Sequence, residues 1–158
     1  MRRTLRSQYL AVPQAPATAR REVQPWLTAH GWPEEDIDDL VLALNEAVTN
    51  SAEHAYPSTG LNGRIELTIT LRSGDDGTTR AVVTVTDHGR WRIPASSPGY
   101  RGRGLQMMRA LTESVELRAG SLGTRVTMVS RPVCVGADVA GRPTDMANEM
   151  ANEMGVLS

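Results

Sequence analysis

Lysine is absent from this sequence: all 17 basic residues are arginine. That excludes the phosphate-gripping lysine of a P-loop, the strand lysine of ordinary protein kinases and Schiff-base chemistry. Phenylalanine is absent too, and aromatic residues make up 4% of the chain, so the core must be aliphatic. Cys134 is the single cysteine, which rules out an intramolecular disulfide and a cysteine-based zinc site. His30, His54 and His88 lie far apart and match no metal-ligand spacing. The net charge of −1 supplies no global field for nucleic acid or acidic lipid. No apolar run is long enough to span a bilayer. The opening MRRTLRSQYLAV has neither the apolar segment nor the small-residue cleavage site of a signal peptide. These absences predict a cytoplasmic protein with no direct nucleic-acid partner and no membrane partner.

What remains is the composition of one globular domain: 158 residues, 40% hydrophobic and 22% charged. Residues 4–12 alternate weakly and predict an edge strand ended by Pro13 and Pro16. Residues 17–29 read as a helix with Val23, Trp26 and Leu27 on its apolar side, stopped by Gly31. From Pro33 to Ala55 the pattern is clearest: Ile37, Leu40, Val41, Leu44 and Val48 form a stripe at helical spacing. Ile65, Leu67, Ile69 and Leu71 alternate with polar residues, and the turn Gly74-Asp75-Asp76-Gly77 returns into a strand carrying Ala81, Val83 and Val85. A Gly-, Pro-, Ser- and Arg-rich loop fills 88–104, followed by a short helix over about 104–113 and strands near 115–118 and 123–130. The order β-α-α-β-β-loop-α-β-β predicts an α+β fold, a two-layer sandwich whose mixed, mostly antiparallel sheet carries helices on one face. Residues 1–131 form the predicted domain. Residues 132–158, with their MANEMANEM repeat, show no apolar period and read as a tail or linker.

Four segments hold residues suited to chemistry. In LNEAVTNSAEHAY, Glu46 and Asn50 are four residues apart and stack on one helix face. A solvated outer face accounts for such a pair, but asparagine is a poor mid-helix residue, and a carboxylate beside an amide suits magnesium carrying phosphates. In VVTVTDHGRWR, Asp87 shares the parity of Val83 and Val85 and so lies on the packed face, where it needs a donor. An exocyclic amine such as that of adenine would serve, with Gly89 allowing a flat ring close to the backbone; a turn-capping Asp is the plainer reading. In GYRGRGLQMMRAL, glycines precede a helix, so free amides can hold phosphate without lysine while Arg101 and Arg103 neutralise charge. A surface loop with solvated arginines is the alternative there. In GTRVTM, Thr124 points inward with Val126 and Met128, beside Asp87 if the two strands are neighbours, although threonine is also a common strand residue.

The order and spacing of these segments carry the argument. Together they resemble the ATP-binding domain shared by gyrase, histidine kinases and MutL: a helix Glu/Asn box, an Asp-Gly box, a glycine lid and a terminal Gly-Thr. The run E-A-V-T-N with a following H-A-Y, the single-domain length and the opening β-α are similar more narrowly to the anti-sigma-factor serine/threonine kinases of Gram-positive bacteria. The resemblance covers about residues 4–131.

The resemblance implies ATP and Mg2+ as ligands, with Asn50 holding the metal and Glu46 accepting the proton of an attacking hydroxyl. It implies that Asp87 recognises adenine N6, with Gly89 beside the ring and Thr124 reaching it directly or through water. Gly102 and Gly104 would cradle phosphates, and Arg101 or Arg103 would stabilise the transferring group. The implied partners are a sigma factor, which the protein sequesters, and an anti-sigma antagonist (a STAS domain), whose serine or threonine it phosphorylates; a homodimer is also implied. The chain departs from the pattern at Trp91, which stands where the Asp-Gly box commonly has its last glycine. That departure leaves room for a non-catalytic regulatory binding module on the same fold. The tail after Arg131 leaves room for an ATP-binding fragment of a larger sensor.

Overall fold

The computed structural model describes residues 2–54, 63–89 and 100–136, with the side chains of residues 54 and 100–102 outside that description. The elements follow in the order β1 (Thr4–Leu10), α1 (Ala15–Ala29), α2 (Glu34–His54), β2 (Arg64–Ser73), β3 (Thr79–Asp87), α3 (Tyr100–Leu111), β4 (Ser114–Gly120) and β5 (Gly123–Val129). This is the predicted order. The five strands form one sheet in the sequence β1-β2-β3-β5-β4, and every pairing is antiparallel, so the mixed sheet expected from the sequence contains no parallel pair.

Strict alternation decides which face of the sheet is covered. Ile65, Leu67 and Ile69 of β2 and Ala81, Val83 and Val85 of β3 are buried, while the residues between them are partly exposed. Onto that face pack Ala19, Val23 and Leu27 of α1 and Leu40, Leu44 and Val48 of α2, all essentially inaccessible to solvent. Each such aliphatic side chain contributes about 1.5–3 kcal/mol of transfer free energy on burial, enough to hold a core that has no phenylalanine. α2 lies between α1 and α3, which explains why Ala43, Ala47 and Ser51 are buried as well as the apolar stripe.

One expectation requires correction. α3 begins at Tyr100, so Gly102 and Gly104 lie inside the helix rather than before it. A helical glycine costs about 1 kcal/mol relative to alanine, but a Cβ at Gly104 would sit 3.2 Å from Glu46 Oε2 and 3.3 Å from Asn50 Nδ2 of α2. Close approach of the two helices overrides the local propensity. Chain beyond Arg131 also packs on the sheet. Val133 is buried and exchanges backbone hydrogen bonds of 2.8 and 2.9 Å with Thr79, extending the ordered chain beside β3. Beyond it, Gly136 lies against Gly31, where an added Cβ would meet the Gly136 nitrogen at 3.3 Å.

Candidate functional site

The predicted residues gather at two places that α2 joins. At the first, Glu46 and Asn50 project from consecutive turns of α2 and are half-buried beneath α3. They do not form a solvated outer face. Gly104 of α3 lies directly over both side chains, so close that a methyl group there would need them to shift by a few tenths of an ångström. A carboxylate, an amide and a helix backbone without a side chain are thereby brought together.

At the second place stands Asp87, the last residue of β3, only 1% exposed. Antiparallel register sets Thr124 of β5 directly opposite it, the neighbourhood expected from strand parity. The Ser51 hydroxyl donates to Asp87 Oδ2 at 2.9 Å. The backbone N–H groups of Gly89 and Thr124 donate to Oδ1 at 3.2 and 3.3 Å. Burial pushes the Asp87 carboxyl above the usual carboxylate range, and these three donors oppose that shift. Gly89 is buried next to the carboxylate. Gly123 holds φ at +131°, and a Cβ there would come within 2.0 Å of the Asp87 carbonyl oxygen, so only glycine lets β5 begin this close to the end of β3.

Thr124 Oγ1 is buried and has no hydrogen-bond partner among the described residues. An orphaned hydroxyl beside a desolvated carboxylate is costly in the free protein, by about 1–3 kcal/mol for such a group. It suits a ligand carrying an adjacent donor and acceptor, as the edge of adenine does. A cleft of about 470 Å3 opens at this end of the sheet, lined by Asp87, Thr124 and the β4–β5 turn from Gly120 to Gly123. Leu117, opposite the buried Val126 in register and therefore on the inner face, is 42% exposed and offers an apolar surface next to the same residues. The chemistry present fits an adenine nucleotide: acceptor and hydroxyl for the base at one end, and carboxylate, amide and a bare helix backbone for the phosphates and their metal at the other. Among the described residues no group of three or more His, Cys, Asp or Glu side chains converges on a metal position.

Not every expected residue joins the site. The Arg103 side chain is exposed on α3 and has no hydrogen-bond or ion-pair partner among the described residues. Arg101 and Gly102 belong to α3, but their side-chain positions lie outside the described residues, as does Trp91. Ser51 was not anticipated. Its signal is legible afterwards: it continues the Leu44–Val48 stripe at helical spacing, and a hydroxyl in an apolar stripe needs a partner. Leu117 gave no signal, because its exposure depends on what packs over the sheet.

Two solved structures are similar to this chain. The RsbU and RsbW domains of Rv1364c from Mycobacterium tuberculosis superpose with a TM-score of 0.59 at 29% identity, covering 82% of this chain and 32% of that one. This chain thus spans about a third of that protein's length. The histidine kinase domain of the blue-light activated histidine kinase from Erythrobacter litoralis EL346 matches with a TM-score of 0.46 at 23% identity, over 73% of this chain and 60% of that one. The family model of the histidine kinase-like ATPase domain matches residues 10–130, a span that holds both halves of the site, and the chain belongs to that family.

Proposed function

We propose that this protein is an ATP-dependent serine/threonine kinase of the anti-sigma type, acting in the cytoplasm, that sequesters a sigma factor and phosphorylates a serine or threonine of an anti-sigma antagonist. The family assignment makes ATP the nucleotide. The observation that carries the rest is Glu46 beside Asn50 under Gly104, with Asn50 immediately preceding Ser51, whose hydroxyl donates to the buried Asp87. The similarity to a structure containing an RsbW domain supports the anti-sigma reading.

In this reading Asp87 accepts a hydrogen bond from the adenine amine, and Gly89 lets the ring approach. Thr124 supplies its unpaired hydroxyl to the same edge. Asn50 holds Mg2+, which supplies charge neutralisation of the phosphates and takes its other oxygen ligands from them and from water. Gly102 and Gly104 bring helix backbone without side chains to the phosphates, and Arg101 and Arg103 are the cations available to offset charge developing on the transferred group. Glu46 accepts the proton of the attacking hydroxyl; its carboxylate lies against the bare backbone of Gly104. Sequestration of a sigma factor as a homodimer follows from the same resemblance.

Calorimetric titration of Mg-ATP tests this reading, with Asn50→Ala and Glu46→Ala alongside. Saturable binding is expected in the native protein, lost in Asn50→Ala and retained in Glu46→Ala, which should instead lose phosphotransfer to a STAS-domain antagonist. Equal loss of nucleotide in both variants would contradict the assigned roles. Trp91 favours a second reading, a regulatory module that binds ATP without transferring phosphate. Binding with no phosphate transfer from the native protein would select it.

A further inference from the structure

Far from Asp87 in sequence, β1 forms one edge of the sheet, and among the described residues no strand pairs with its outer edge. Arg3 C=O accepts from Leu71 N–H, and Ala11 N–H donates to Gly63 C=O, so the backbone groups of odd-numbered residues face β2. By antiparallel alternation the N–H and C=O groups of Thr4, Arg6 and Gln8 point away from the sheet. The two ends of this open stretch are closed off. The Arg2 C=O is engaged by His30 Nε2 at 3.0 Å, and the Leu10 C=O accepts from Val12 N–H.

The open stretch is positively charged. A groove of about 560 Å3 beside it is lined by Arg2, Arg3, Thr4, Leu5, Arg6 and Trp26. Arg3 donates to the neutral Ser73 hydroxyl, while the side chains of Arg2 and Arg6 have no partner among the described residues. Neither neighbouring carboxylate is paired with them: Glu66, beside Arg6 on the outer face, accepts from Gln8 Nε2 at 3.4 Å and lies 3.6 Å from His88 Nε2. Both oxygens of Glu22 are taken by hydroxyl donors on the inner face of β1, Ser7 on Oε1 and Tyr9 on Oε2, the latter at 2.5 Å. Trp26 is half-buried at the groove and packs its ring on His30 with centroids 4.2 Å apart, which fixes an aromatic wall there. At the other end of β1, Leu10 and Val12 are exposed apolar side chains.

The geometry points to β1 as a docking edge for an extended acidic segment of a partner protein, added as a sixth strand. Backbone pairing with Thr4, Arg6 and Gln8 supplies the affinity, and carboxylates of the segment meet Arg2 and Arg6 while its apolar end covers Leu10 and Val12. A second copy of this chain is disfavoured as occupant, because β1 against β1 would set arginines against arginines. The inference stands on β1 and α1 alone, so it holds or fails separately from the nucleotide reading.

A fluorescein-labelled peptide of about eight residues alternating Glu and Val is the probe, read by anisotropy on the full chain. Three controls accompany it: the same peptide with Lys for Glu, the peptide N-methylated at alternate amides in both registers, and the Arg6→Glu variant. Expected are saturable binding of the acidic peptide, none of the lysine peptide, loss on methylation in one register only, and weakening of about tenfold or more in Arg6→Glu. Arg6 is exposed, and an unchanged urea-unfolding midpoint in the variant confirms that it is folded. Absence of saturable binding overturns the proposal. So does equal binding of both methylated peptides, which would leave charge attraction without strand addition. A monomer–dimer equilibrium in sedimentation that Arg6→Glu shifts and the peptide does not compete with would give the edge to a second copy instead.

Discussion

Gly123→Ala measures how closely β5 is held against the end of β3, and a second glycine provides its control. Gly77, in the β2–β3 turn, has φ at +78° with nothing within 4 Å of an added Cβ, so alanine there meets only backbone strain, about 1–2 kcal/mol. Gly123 carries φ at +131°, a region that side chains rarely enter, at about 1–3 kcal/mol. Its added Cβ would also fall 2.0 Å from the Asp87 carbonyl oxygen, where real Cβ atoms are essentially never found closer than 3.0 Å. The obstructing atom is backbone and cannot rotate away. The strands must part by about 1 Å, an overpacking cost of about 1–3 kcal/mol, and the 3.3 Å bond from Thr124 N–H to Asp87 is strained with them. Gly123→Ala should therefore cost about 3–5 kcal/mol against about 1–2 for Gly77→Ala, by urea denaturation with unchanged m-values. Under conditions where both variants are folded, Gly123→Ala should also bind Mg-ATP more weakly, and Gly77→Ala should bind normally. Equal stability losses in the two variants would refute the steric reasoning. A large loss in Gly123→Ala with normal ATP affinity would refute the link between this strand junction and the nucleotide.

Thr124→Val replaces a buried, unpaired hydroxyl by a methyl group of the same shape; the variant should be more stable by about 1 kcal/mol in thermal melts and should bind ATP less tightly. A fall in both quantities would mean that the hydroxyl is paired in the free protein. Asp87 titrates above the ordinary carboxylate range because it is buried, so its contribution to folding stability is greatest in acid and is lost as pH rises through the raised folded value. Nucleotide binding runs the other way, since only the ionised carboxylate accepts from the adenine amine, and affinity should decline as pH falls through the same value. Ser51→Ala removes a donor that opposes the shift, so its affinity should begin to decline at higher pH than in the native protein; superimposable titration profiles would show that Ser51 does not tune Asp87.

Most of the fold was readable because its periodicities are strong and local. The alternation in β2 and β3 put Asp87 on the packed face before any coordinates, and the shared parity of Thr124 with Val126 and Met128 left one condition, that β3 and β5 be neighbours, which the register fulfils. The start of α3 was not readable. Gly102 and Gly104 argue locally for a loop, and the reason the chain is helical there is the face of α2 that Gly104 approaches, a contact between segments more than fifty residues apart. Val133 was missed for a similar reason: a single apolar residue in a polar stretch has no period, and its burial depends on the free backbone of Thr79.

The same distinction separates what the site has from what it does. Periodicity places a residue on a face but does not say whether that placement is comfortable, and at this site several placements are not. Asp87 is a carboxylate in the core, Thr124 Oγ1 lacks a partner among the described residues, and Gly104 and Gly123 are held where an added Cβ would press on a neighbour. The first two lower stability by an amount that substitution could recover, whereas at the two glycines the close approach itself favours glycine. A domain selected for stability alone would carry asparagine or an apolar residue at position 87 and valine at 124. Their convergence on the inner end of β3 and β5, joined by Ser51 to the Glu46–Asn50 turn, is what a ligand that completes them would explain.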